Sequence, residues 1–194
     1  TDYNSSCSKA IVAESWDENS GTAHWRSRQS DRPFFAVFNL MTSHQSRTMV
    51  WPEEKFKNEV QANLQPDEIH LPDDVPLPPY YPDTPVVRET VARYYDCVTA
   101  MDKQVGAILK ELEDDKLVDN TIVFYGSSNS QTHRNANYPM MLAGGQRLGL
   151  KHGRMITADE QTPLSNVFVA ILNQLGIPAD SFADSTSPLD ALTA

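Results

Sequence analysis

The side chain best placed for chemistry in this sequence is His44, in Met41-Thr42-Ser43-His44-Gln45-Ser46-Arg47 directly after an apolar run. An imidazole in that position can hydrogen-bond an oxygen or donate a proton near neutral pH. A second polar stretch holds His133 and Arg134, and a guanidinium there can grip an anion. Lys151 and His152 form a small basic patch in Gly149-Leu150-Lys151-His152-Gly153-Arg154. Glu68, Asp73 and Asp74 could chelate a cation, but they read better as a solvated acidic loop, and Asp102 reads as a packing or capping residue within a helix. Cys7 and Cys97 lie 90 residues apart and match no zinc spacing. They read as two buried thiols, or as one disulfide in an oxidising compartment.

These residues need a scaffold, and the hydrophobic pattern outlines one. Residues 33–40, Pro-Phe-Phe-Ala-Val-Phe-Asn-Leu, form an almost unbroken apolar run that predicts a strand buried on both faces. A polar loop after such a strand is where open α/β sheets place their chemistry. Two short helical patches are expected in residues 10–19 and 21–28, and another helix near 52–59 with Pro52 in its first turn. Seven of the 13 prolines fall between Pro66 and Pro85, and no Lys or Arg occurs between Lys57 and Arg88. That stretch reads as a stiff, acidic, surface-wrapping connection. From about Val86 to Asp115, Val87, Val91, Tyr94, Tyr95, Val98, Met101, Val105, Ile108, Leu109 and Leu112 follow a helical period, with Thr84 as N-cap and Pro85 at N1. Residues 120–125 and 138–143 predict two further strands. Thr162-Pro163 opens a helix that runs to Leu175 and closes at Gly176. Strand, long helix, strand implies parallel pairing. The tail beyond Pro178 reads as polar and weakly ordered.

Composition narrows the function classes. The 194 residues carry 16 Lys and Arg against 26 Asp and Glu, a net charge of -10, so a polyanion such as a nucleic acid would be repelled by the average surface. At 40% hydrophobic residues the chain can bury a core. No apolar run approaches the roughly 18 residues of a spanning helix.

Taken as a set, several strings resemble the sulfatase family of the alkaline phosphatase superfamily. They are Trp16-Asp17-Glu18-Asn19-Ser20 with Ala23-His24-Trp25-Arg26, and Arg32 to Asn39 with Thr42-Ser43-His44. The others are Pro78-Pro79-Tyr80-Tyr81-Pro82-Asp83-Thr84-Pro85, and Tyr94-Tyr95 through Met101-Asp102 to Leu112-Glu113. This likeness covers residues 1 to about 125. Residues 126–190 look more like an uncharacterised secreted bacterial domain family of the same superfamily, carried by Gly126-Ser127-Ser128-Asn129-Ser130, His133, Pro139 to Gly145 and Ser181 to Thr186. The resemblance implies an α/β fold with a mostly parallel sheet flanked by helices. It implies a partial sulfatase-like domain over residues 1–177, with a seam near 125–127 and a tail over 178–194. It also implies hydrolysis of sulfuric esters on sulfated carbohydrate in a periplasmic or secreted protein, with no nucleic-acid partner.

The family's chemistry uses an oxidised cysteine as nucleophile, calcium (Ca2+) to neutralise the sulfate oxygens, and Lys and His around the ester. By this resemblance His44 is the catalytic, substrate-site histidine. Ser128 and Asn129 occupy the calcium positions where the family writes Ser-Asp-His-Gly, and His133 and Arg134 are expected substrate contacts. Neither Cys7 nor Cys97 stands in the family's Cys-x-Pro-x-Arg segment, which is expected upstream of Thr1. Two other readings stay open. One is a non-catalytic member that binds a glycan or a partner on the same scaffold. The other, ranked lower, is a phosphatase or phosphodiesterase, because its second set of Asp and His zinc ligands is missing.

Overall fold

The computed structural model describes residues 9–127 and 139–193. Two compact units divide the chain, Thr1–Val105 and Gly106–Ala194.

The first unit is built on helices. Its elements are α1 (Lys9–Ser15), a 3-10 turn at Trp25–Ser27, α2 (Gln45–Met49), α3 (Glu53–Glu59), two further 3-10 turns at Gln61–Asn63 and Pro66–Glu68, and the larger part of α4 (Pro85–Asp114). The expected patch at 21–28 thus tightens to a single 3-10 turn, capped by the His24 ring accepting from the Arg26 N–H. α4 starts where its sequence signals it. The Val87 N–H donates to Thr84 Oγ1 at 3.4 Å, and Pro85 takes the first position, where a missing N–H costs nothing. Phe56, Val60, Leu64, Cys97 and Ala100 form the core, with Trp51 and Ile69 packed against it. Burying Phe56 alone stabilises the unit by roughly 1.5–3 kcal/mol.

The buried line of α4 is offset from the large apolar residues. It runs through Ala92, Asp96, Cys97 and Ala100, while Tyr94 is half exposed. The small Cys97 and Ala100 side chains on this line pack against Phe56, Val60 and Leu64 of α3 and the loop that follows it.

The apolar run at 33–40 corrects an expectation. Among the described residues it forms no strand, and Phe35 is 81% exposed. A strand buried on both faces needs neighbouring strands to pair its backbone. Here the segment is anchored by its rings instead. Phe34 stacks on the buried Trp25 at 5.7 Å, Phe38 meets the same indole edge-on at 5.7 Å, and Phe35 stacks on Trp16 at 5.9 Å.

The second unit carries the sheet. β1 (Ile122–Gly126) pairs with β2 (Met140–Gly144) in register Ile122↔Gly144 through Gly126↔Met140. The two strands lie where the sequence places them, but the pairing is antiparallel. The expected mostly parallel sheet is therefore not what the described residues form. The long helix that suggested a crossover, α4, precedes β1 in the chain, and β1 pairs with the strand that follows it. Gly144 is forced by sterics: at φ +74° an added Cβ would lie 2.1 Å from the Thr121 carbonyl oxygen.

α5 (Ser165–Gln174) packs beside this pair, with Val169 and Ala170 buried. It ends as the sequence predicts. Gly176 adopts φ +74°, its N–H donates to Asn173 O at 3.1 Å, and the Ile177 N–H reaches Leu172 O at 3.0 Å. The tail beyond Pro178 is more ordered than its composition suggests. Leu192 joins Leu150 and Ala170 in a core cluster, and the Asn166 side chain holds Thr186. Among the described residues no helix is long and apolar enough to cross a membrane.

Candidate functional site

His44 is exposed and caps α2. Its Nδ1 accepts the Ser46 backbone N–H at 3.3 Å and lies 2.8 Å from Ser46 Oγ. With Nδ1 used as acceptor, the neutral ring carries its proton on Nε2, the nitrogen turned away from the helix. The cap therefore selects a tautomer that presents one N–H donor outward.

The loop bearing His44 is tied down on both sides. Buried Thr42 donates from Oγ1 to Gln104 Oε1 at 2.8 Å, and Ser43 Oγ donates to Met101 Sδ at 3.2 Å, fixing the loop to α4. Arg47 donates from Nε to Met41 O at 2.7 Å and lays its guanidinium 4.3 Å from the Trp51 ring centre. Arg93 donates to Trp51 O at 3.1 Å and covers the Phe56 ring at 4.5 Å. Arg47 and Arg93 thus serve packing, and the imidazole stands on a braced platform.

The remaining expected site residues, Ser128, Asn129, His133 and Arg134, lie outside the described residues. Their chemistry can still be compared with a calcium ion. Calcium is held by several oxygens, usually with carboxylates among them. Ser128 and Asn129 bring a hydroxyl and an amide with no charge, and among the described residues no three His, Cys, Asp or Glu could hold a metal together. This donor set does not fit the ion.

Other residues considered from the sequence have structural work. His152 hydrogen-bonds through Nε2 to Gly144 O, and the Lys151 N–H donates to Leu192 O at 3.1 Å, so this patch braces β2 and the tail. Glu68 caps the Gln65 N–H and pairs with Lys103. The backbone donor first, and then the ammonium, hold its carboxyl below the usual range. Asp73 lends only its backbone carbonyl to Arg88, while Arg88 grips Asp83 with two nitrogens at 2.5 and 2.8 Å. Asp102 is exposed on α4. Cys97 is a free, buried thiol whose burial pushes its pKa up to about 11, and Cys7 lies outside the described residues.

Sequence reasoning missed one pair altogether. Asp96 is 1% exposed and accepts three hydrogen bonds, from Gln61 Nε2 at 2.7 Å, from the His70 backbone N–H at 2.8 Å and from His70 Nδ1 at 3.0 Å. The available signal was an Asp set between Ala92 and Ala100 at four-residue steps, on the face of α4 that must be buried.

Comparison with known proteins extends the picture. A sulfatase family model matches residues 2–164, running past the expected seam at 125–127. The chain is 35% identical over 133 residues to the ulvan-active sulfatase of Formosa agariphila, covering 57% of this chain and 22% of that protein. It is 34% identical over 110 residues to the human N-sulphoglucosamine sulphohydrolase, covering 52% and 22%. The chain thus spans about a fifth of the length of these curated relatives. No solved structure matches it. With a family match over most of its length, and two sulfatases aligned to about half of it, the chain belongs to the sulfatase family.

Proposed function

We propose that this chain is part of a sulfatase-like hydrolase that cleaves sulfuric esters on sulfated carbohydrate, in a periplasmic or secreted protein, with His44 as the group that meets the ester. The supporting observation is the capped imidazole. Its Nδ1 is occupied by the Ser46 N–H, so Nε2 points outward as a donor toward a sulfate oxygen or a departing alkoxide. The relatives' printed names, ulvan and N-sulphoglucosamine, support a carbohydrate substrate. His133 and Arg134 would add contacts to the anion.

A second reading is favoured by a specific observation. Neutral Ser128 and Asn129 stand in the calcium positions, as expected of a non-catalytic scaffold that binds a glycan or a partner. One measurement tests the absence of the nucleophile from this chain, and a second separates the readings. The 194-residue chain assayed on a chromogenic aryl sulfate with added calcium should show no turnover, because it holds no family nucleophile segment. Clear turnover would overturn that assignment. Calorimetric titration with calcium should give micromolar binding if a metal site operates and no heat if the scaffold reading holds.

A further inference from the structure

We propose that the cleft beside His70 binds a small organic ammonium ion with an apolar body, at a site independent of the sulfate-ester reading. The argument begins with Asp96. Buried on α4, its Oδ1 accepts from both the backbone N–H and Nδ1 of His70. The carboxylate oxygen therefore fixes the imidazole proton on Nδ1, and Nε2 of the neutral ring is left with a lone pair. Among the described residues Nε2 has no hydrogen-bond partner, and the His70 side chain is 36% exposed. This is the opposite tautomer from His44, which presents a donor, so the two histidines suit ligands of opposite sign.

The surroundings favour a cation. His70 lines an open cleft with Ile69, Leu71, Val75 and Tyr95, whose apolar walls suit a hydrocarbon body. Tyr95 lines the same cleft with its ring 5.4 Å from the imidazole, centre to centre, and an aromatic ring is the kind of partner an ammonium group favours. Exposed Asp67 and Asp74 line the same cleft. No Lys or Arg occurs from residue 58 to 87, and the two cations that reach this stretch from α4 are engaged, Arg88 with Asp83 and the Pro72 and Asp73 carbonyls and Lys103 with Glu68. An acceptor nitrogen, an aromatic face and two carboxylates around an apolar hollow complement an alkyl- or arylalkylammonium. A carboxylate or sulfate ligand would meet repulsion from Asp67 and Asp74.

The test uses the full 194-residue chain at pH 8, above the ordinary imidazole range. Benzylammonium, benzyl alcohol and benzoate are titrated in turn by calorimetry, with the His70 ring signals followed by NMR. The expected result is saturable benzylammonium binding that moves the His70 signals. Benzyl alcohol should bind about tenfold more weakly, and benzoate not at all. His70→Asn keeps an N–H donor for Asp96 while removing the Nε2 lone pair, and should weaken benzylammonium by about tenfold. The rim double variant Asp67→Asn with Asp74→Asn changes only exposed side chains. It should fold normally and lose a similar factor, so the test stands even if His70→Asn does not fold. Benzoate binding as well as benzylammonium, indifference to the rim substitutions, or no saturation by roughly 10 mM would each overturn the proposal.

Discussion

Asp96 in the first unit and Asn166 in the second solve the same problem with different chemistry. Each sits buried on a helix, at 1% and 4% exposure, and each holds an irregular segment that has no ladder of its own. Asp96 accepts only, and it grips donors alone: Gln61 Nε2 and two nitrogens of His70. Asn166 both accepts and donates. Its Oδ1 takes the Thr186 N–H at 2.9 Å and its Nδ2 reaches Thr186 Oγ1 at 3.2 Å, while neighbouring Ser165 donates to Asp184 at 2.6 Å. A carboxylate thus orients a ring and leaves that ring reactive, whereas an amide closes its network on itself. The first arrangement leaves an acceptor nitrogen on a ring that lines a cleft, and the second leaves a docked tail.

The comparison can be broken most directly by truncation. Asp96→Ala should cost about 2–4 kcal/mol in urea unfolding, because buried donors lose a charged acceptor. Asn166→Ala should cost about 1–2 kcal/mol and speed amide exchange at Thr186 and Ser187, whose N–H groups its Oδ1 accepts, because its partners can turn to water or to each other. Equal costs at the two sites would remove the distinction between a charged and a neutral anchor. Exchanging the two chemistries is a milder probe. Asp96→Asn should cost about 1 kcal/mol, since the Gln61 amide can flip to accept while the His70 donors keep one oxygen. It should also lower the fixed preference for a proton on His70 Nδ1, read from the imidazole nitrogen shifts.

The smallest effect concerns Cys97, next to Asp96 in a unit whose counterpart holds no cysteine. Burial raises this thiol from 9.0 to about 11, so folding favours its protonated form. That contribution is complete below about pH 9, where the unfolded thiol also keeps its proton, and is lost as pH climbs through about 11. Unfolding midpoints taken from pH 8 to 11 should fall more for the wild type than for Cys97→Ala. A fall identical in both would mean that the thiol is not coupled to folding.

Much of the fold was legible because it obeys local rules. Thr84-Pro85 starts α4, Gly176 ends α5, and the strands expected at 120–125 and 138–143 form over 122–126 and 140–144. The candidate histidine was legible from its place after an apolar run, though its tautomer was not, because that depends on how Ser46 turns. The run at 33–40 misled because apolarity reports a wish for burial and not the partner that supplies it. In this chain the partners are Trp16 and Trp25. Strand direction misled because a long helix preceding β1 suggests a crossover, while β1 in fact pairs with the strand that follows it.

By itself the sequence determined where helices begin and stop, which segments are apolar, the acidity of the chain and the sulfatase likeness, since each depends on neighbouring residues or on composition. Only the tertiary structure decided that β1 and β2 run antiparallel and that Asp96 is buried against His70, 26 positions back. It also decided that the two imidazoles hold their protons on opposite nitrogens. Those outcomes hang on hydrogen bonds between residues distant in the chain or on the turn of one side chain, and no periodicity encodes them.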